Sequence, residues 1–97
     1  MPIEYSDITR IDTLSSLPRI KIKTNGFAFG KVLKGHFRLF DKTNVILFIK
    51  KGIPPYINIK TREDDLYLNF HKSETTKEVY QKISSRMKKK AFIKFDL

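Results

Sequence analysis

From Ile20 onward, apolar and polar residues alternate with a period of two, and near Ser73 that period gives way to helical spacing. This change of rhythm constrains the fold more than any other feature. A run of half-buried strands followed by one helix points to a small barrel or sandwich closed by that helix. Arg19-Ile20-Lys21-Ile22-Lys23-Thr24 alternates cleanly, which predicts Ile20 and Ile22 inward and Lys21 and Lys23 outward. Asn25-Gly26 is expected to turn the chain, since both residues tolerate positive φ. The glycine-rich stretch from Phe27 to Gly35 reads as a bent or bulged connection. His36 to Phe40 resumes the alternation with Phe37 and Leu39 inward, and Asp41-Lys42-Thr43-Asn44 has the length of a hairpin loop.

Asn44 to Lys50 is apolar on both faces, the mark of a central or doubly covered strand. Gly52-Ile53-Pro54-Pro55 interrupts it, because proline cannot donate to a ladder. Tyr56 to Thr61 and Leu66 to Phe70 read as two further strands, joined by a turn over Arg62-Glu63-Asp64-Asp65. Val79, Tyr80, Ile83 and Met87 then form an apolar stripe at helical spacing, with Ser73 as N-cap and cations crowding the last turn. The expected organisation is one domain over residues 1–97. It comprises an early strand and turn segment (1–18), antiparallel strands (19–70), a helix (73–89), and a short strand or tail (91–97). In the first segment Ile3-Glu4-Tyr5 reads as a strand and Ser6-Asp7-Ile8 as a turn or short helix.

Charge enters next. Twenty Lys and Arg against ten Asp and Glu give a net charge of +10, which favours an anionic partner: nucleic acid, an acidic membrane face or an acidic protein. The plainer alternative is a Lys-rich composition that only keeps the chain soluble. The chain contains no cysteine, which excludes disulfides, thiolate metal sites and Cys nucleophiles and favours a reducing, cytoplasmic setting. The longest apolar run, Val45 to Ile49, is far short of the ~20 residues that span a bilayer.

Nothing in the sequence assembles a catalytic constellation, and the chain is expected not to be an enzyme. His36 and His71 lack neighbouring ligands at metal spacing, so no metal or other cofactor is expected. Glu63-Asp64-Asp65 is not flanked by an EF-hand loop and reads as a solvated turn. Gly30-Lys31-Val32-Leu33-Lys34-Gly35 has the glycine spacing of a phosphate-binding loop, but His36-Phe37 stand where Lys-Ser/Thr should follow.

The order Thr24-Asn25-Gly26-Phe27, Gly30, Gly35-His36-Phe37-Arg38-Leu39 and a Val/Ile-rich strand resembles the bacterial pleckstrin-homology (PH)-like domain family. An Ile-x-Ile-x-Thr strand, a terminal Thr-x-x-x-Val-Tyr helix and the upstream Ile3 to Ile8 segment are similar to the same pattern, which covers most of residues 3 to 85. The resemblance implies a mainly β, PH-like barrel of two packed antiparallel sheets, one end closed by a C-terminal α-helix. It also implies a non-catalytic binding module at the cytoplasmic face of a bacterial membrane. Such domains carry more strand before the Tyr-x-Asp-Ile segment than three residues supply. The chain is therefore read either as a reduced form, with 91–97 filling the gap, or as a piece of a longer protein with upstream transmembrane segments.

Two cationic groups are candidate sites. Lys21, Lys23, Lys31, Lys34 and Arg38 would form an anion- or lipid-binding patch if their strands pair as a hairpin around the glycine-rich loop. Lys82, Arg86, Lys88, Lys89 and Lys90, with Lys94 beyond them, form a second patch able to lie on an anionic leaflet. For both, a solvated face is the competing explanation. The expected partner is an anionic membrane surface or a protein. Homo-oligomer formation is a further option, and nucleic acid ranks below the first two. Nucleic-acid binding on a β-surface needs exposed rings among the cations, for which Phe27, Phe29, Phe40 and Tyr67 are the candidates.

Overall fold

In the computed structural model, the backbone is described for residues 5–96 and the side chains for residues 6–87. After a 3-10 turn over Tyr5–Asp7 the chain forms β1 (Ile8–Leu14), β2 (Ile20–Phe29), β3 (Val32–Leu39), β4 (Asn44–Lys50), β5 (Tyr56–Thr61), β6 (Asp65–Leu68) and α1 (Ser73–Asp96). The molecule is thus mainly β with one C-terminal helix. The strands make one six-stranded sheet in the order β1-β5-β6-β4-β3-β2. Neighbours run antiparallel except β4 and β6, which are parallel because β6 turns back from β5 and inserts beside β4. This replaces the expected pair of antiparallel sheets with one mixed sheet.

Physical reach explains why that sheet curls. Five gaps of about 4.8 Å would put the edges of a flat sheet about 24 Å apart. The connection from Leu14 to Ile20 spans only about 21 Å when fully extended. The edges β1 and β2 must therefore bend toward each other. Consistent with this, Leu14, Leu17 and Ile20 pack against a buried cluster of Leu33, Phe37, Leu39, Val45, Leu47, Ile49, Tyr56 and Tyr67. These residues line the inner face.

On the opposite, outer face, Ile46, Ile57, Ile59 and Leu66 form a second cluster, covered by Val79, Tyr80 and Ile83 of α1 and flanked by Ile8, Ile11 and Leu68. Three members of the stripe expected on the helix, Val79, Tyr80 and Ile83, do the covering. β4 carries buried residues on both faces, as its composition predicts for a central strand. In β1, Ile11 aligns with Ile59 and Leu14 with Tyr56, so its apolar residues divide between the two clusters. Their spacing of three hides the strand from a search for period two.

Two further differences concern α1. The segment 91–97, expected as a strand or tail, continues the helical backbone as far as Asp96. At the other end, Thr76 N–H donates to Lys72 O at 3.2 Å, which places Lys72 at the N-cap position and Ser73 one residue inside. The Ser73 hydroxyl instead donates to Pro54 O at 2.6 Å, tying the helix start to the β4–β5 loop. Of Ile3-Glu4-Tyr5, expected as strand, Ile3 and Glu4 lie outside the described residues and Tyr5 opens the 3-10 turn; of Ser6-Asp7-Ile8, Ser6 and Asp7 belong to that turn and Ile8 begins β1.

Candidate functional site

β2 and β3 form a long hairpin whose turn is Gly30-Lys31, not Asn25-Gly26. Gly30 adopts φ 57°, the left-handed value suited to the first central position of a two-residue hairpin turn. Asn25 and Gly26 lie within β2, paired with His36 and Gly35. The register slips twice along this pairing, between Ile20 and Ile22 and again between Lys23 and Asn25. Each slip adds a residue to β2 and reverses which face the following residues occupy.

The consequence for side chains is direct. Ile20 aligns with Leu39 on the inner face, but Ile22 aligns with Arg38 on the outer face and Lys23 with Phe37 on the inner side. The expectation that Ile20 and Ile22 both point inward, with Lys21 and Lys23 outward, is overturned by these bulges. Lys21 sits in the first bulge without an aligned partner, and Lys23 lies on the face opposite Lys34 and Arg38. Lys34 and Arg38 occupy the outer face of β3, both exposed, and Lys31 sits in the exposed turn. The five cations share one hairpin but not one surface.

What the outer face of this half of the sheet does share is rings. Register places Phe27, Lys34 and Phe48 in one row across β2, β3 and β4. The row toward the turn is Phe29, Val32 and Lys50. The rows on the other side are Asn25, His36 and Ile46, then Ile22, Arg38 and Asn44. Phe27, Phe29, Phe48 and Ile22 are 53%, 75%, 46% and 53% exposed, which leaves their hydrophobic surface open where one helix covers the other half of the same face. The rings of Phe27 and Phe29 lie 6.3 Å apart, tilted by 33°. Arg38 Nε donates to Asn44 Oδ1 at 3.2 Å, which lays its side chain along the sheet.

β2, β3 and β4 contain no Asp or Glu, whereas together with the Gly30-Lys31 turn they carry Lys21, Lys23, Lys31, Lys34, Arg38 and Lys50. An ion pair joins Arg10 and Asp12 on β1, away from these strands. The formal charges on the β2–β3 hairpin are therefore all positive, and Asp41 in the β3–β4 turn is the next carboxylate along the chain.

The other sequence candidates fall elsewhere. Phe40 is exposed at the far end of β3, with the Arg19 guanidinium 4.7 Å above its ring. Tyr67, expected as an exposed ring, is buried on the inner face, where burial raises its phenol pKa and Asp65 and Asp41 add to the shift. Lys82 and Arg86 are exposed one helical turn apart on α1 and border an open depression with Gln81 and Ser85. Lys88, Lys89 and Lys90 continue the helical backbone, and their side chains lie outside those described.

His36 is exposed on the outer face and His71 at the start of the helix connection. Among the described residues no three His, Cys, Asp or Glu side chains gather as metal ligands. Asn58, a buried polar side chain, is structural: its amide donates to Asp65 Oδ1 at 2.6 Å and Leu66 O at 3.1 Å across β5 and β6. Asp41 holds the β3–β4 turn, accepting from Thr43 N–H at 2.9 Å, and the bonds from Thr43 lower its pKa. No described helix is long and apolar enough to cross a membrane.

Phe48 and Ile22 are the members of this face that the sequence reading missed. In Asn44–Lys50 every interior residue is apolar, so composition does not tell which one is left bare. Ile22 is hidden by an alternation that the bulges cancel. Compared with family models, curated proteins and solved structures, the chain matches none.

Proposed function

We propose that this chain is a non-catalytic binding module that engages an anionic partner through the outer face of β2, β3 and β4. The observation that carries this is the interleaving of Phe27, Phe29 and Phe48 with Lys34, Arg38 and Lys50 on strands without a carboxylate. Exposed rings contribute contact area, and the cations contribute attraction and orientation. Cations at this density disfavour a second copy of the same face, because like charges would oppose each other.

The PH-like resemblance belongs to the same proposal. It is supported by a strand-rich body with a C-terminal helix. The parallel β4–β6 pair is foreign to two antiparallel sheets, so the proposed activity rests on the surface rather than on family. A cytoplasmic setting suits a chain without cysteine, and an anionic leaflet is one surface that could meet this face.

The test is salt-dependent binding to phosphatidylglycerol-containing vesicles and to short oligonucleotides, for the wild type and for Lys34→Gln with Arg38→Gln. Binding that weakens with salt and with the double substitution supports the module. Failure to bind either probe, or indifference to the substitutions, rejects this face as the site.

A further inference from the structure

We infer that the anionic partner is single-stranded nucleic acid, its bases stacking on Phe27, Phe29 and Phe48 and its phosphates meeting Lys34, Arg38 and Lys50. This rests on the proposed role of the β2–β4 outer face and names the chemistry that fits it. Three features of the face favour a strand over a lipid leaflet.

The first is where the rings sit. Phe27 and Phe48 flank Lys34 in a row across the sheet, about 10 Å apart at two strand spacings, and Phe29 lies one row away. Phe27 and Phe48 rise from the sheet surface, where a flat base can lie over a flat ring, and Phe29 extends that surface to the last strand residue before the turn. β-sheet surfaces that bind single strands stack two or three bases on such rings.

The second is alternation. Each ring has a cation in its own row or the next, as a chain of alternating bases and phosphates requires: Lys34 between Phe27 and Phe48, and Lys50 in the row of Phe29. A leaflet would be met as well by cations in a ring around a separate apolar tip.

The third is hydrogen-bonding capacity on the same face. Asn25 and His36 occupy the row next to Phe27 and Phe48 and can address base edges, and His36 offers a further ring for stacking. A lipid headgroup can hydrogen-bond these side chains through its phosphate, but only a base combines a flat face for the rings with an edge for Asn25 and His36. A duplex keeps its bases stacked on each other, so the face is selective for unpaired strands.

The experiment measures fluorescence anisotropy of labelled oligothymidylate and oligouridylate, a labelled hairpin duplex of equal phosphate count, and co-sedimentation with vesicles of phosphatidylcholine with or without phosphatidylglycerol. The variants are the triple Phe27→Leu, Phe29→Leu, Phe48→Leu and the double Lys34→Gln, Arg38→Gln, each checked by circular dichroism. Leucine keeps apolar area for a lipid but removes the planar ring a base needs. Expected are preference for the single strands and at least about a tenfold loss of their affinity in the triple variant. The double variant is expected to lower the slope of log K against log salt by about 1.4, about 0.7 for each lost phosphate contact. Wild-type affinity for oligonucleotides in the triple variant, or equal binding of duplex and single strand, overturns stacking. Tight binding to phosphatidylglycerol vesicles that survives the leucines, with weak oligonucleotide binding, overturns the nucleic-acid inference and keeps the anionic module. No binding of any probe, or none that responds to the double variant, overturns both.

Discussion

Gly26 and Gly35 face each other across β2 and β3 so closely that neither position has room for a side chain. A Cβ on Gly26 would fall 2.4 Å from Lys34 O, and one on Gly35 would fall 2.6 Å from Gly26 Cα. Gly35 also holds φ 106°, a value side chains rarely adopt. This contact sits beside the Phe27–Lys34–Phe48 row and helps fix the spacing of the two strands that bear it. Gly30, at φ 57° in the turn, has open space around it.

Gly35→Ala is accordingly expected to cost more than Gly30→Ala. For Gly30 the penalty is the left-handed conformation alone, about 1–2 kcal/mol. For Gly35 a backbone clash adds to the unfavourable φ, and about 3 kcal/mol or more is expected. Urea denaturation of the two variants checks the order, and equal costs would show that the strands can separate without penalty.

Asn69 replaces a stretch of strand with its side chain. Its amide donates to Lys50 O and Ile53 O at 2.8 and 2.9 Å and accepts from Lys50 N–H at 2.8 Å. Asn69→Ala strips partners from three backbone groups around the β4–β5 loop and is expected to destabilise by about 2–4 kcal/mol. Faster amide exchange at Lys50 is the local readout. Lys50 on the ring-bearing face should lose its fixed position with it.

Thr76 is fully buried near the start of α1, and its Oγ1 accepts from Phe70 N–H at 3.0 Å. Thr76→Val keeps the shape and removes the acceptor, so a loss of about 1–3 kcal/mol is expected in thermal or urea denaturation. Thr76→Ser, which keeps the hydroxyl, is expected to retain Phe70 amide protection. A Val variant as stable as the wild type would show that this bond does not hold the helix to β6.

Tyr67 gives the fold an alkaline limit. Burial, with Asp65 and Asp41 contributing, raises its pKa in the folded state above the ordinary value near 10. A raised folded pKa means that its contribution is fully present below the unfolded pKa and is lost as pH rises through the folded one. The difference in unfolding free energy between the wild type and Tyr67→Phe is therefore expected to be flat below about pH 10 and to shift toward the variant above it. Parallel curves throughout would mean that the phenol ionises equally easily in both states.

Much of the architecture is already determined by local chemistry. The alternation in His36–Phe40 places Phe37 and Leu39 inside, the apolar run of Asn44–Lys50 demands a strand covered on both faces, and Val79, Tyr80 and Ile83 set the helix face that closes the outer cluster. Each depends only on a residue's neighbours along the chain, which is why sequence suffices. The location of cations on the β2–β3 hairpin was legible for the same reason, as was the exposure of Phe27 and Phe29.

Tertiary structure alone decided which surface those residues share. Two register slips in β2 turn Ile22 outward and Lys23 inward, and a slip is set by which carbonyls of β3 the chain finds opposite it. The insertion of β6 beside β4 buries Tyr67, and the path of α1 leaves Phe48 bare while covering Ile46 two residues away. Such outcomes depend on contacts between segments distant in sequence, and periodicity along one segment carries no record of them.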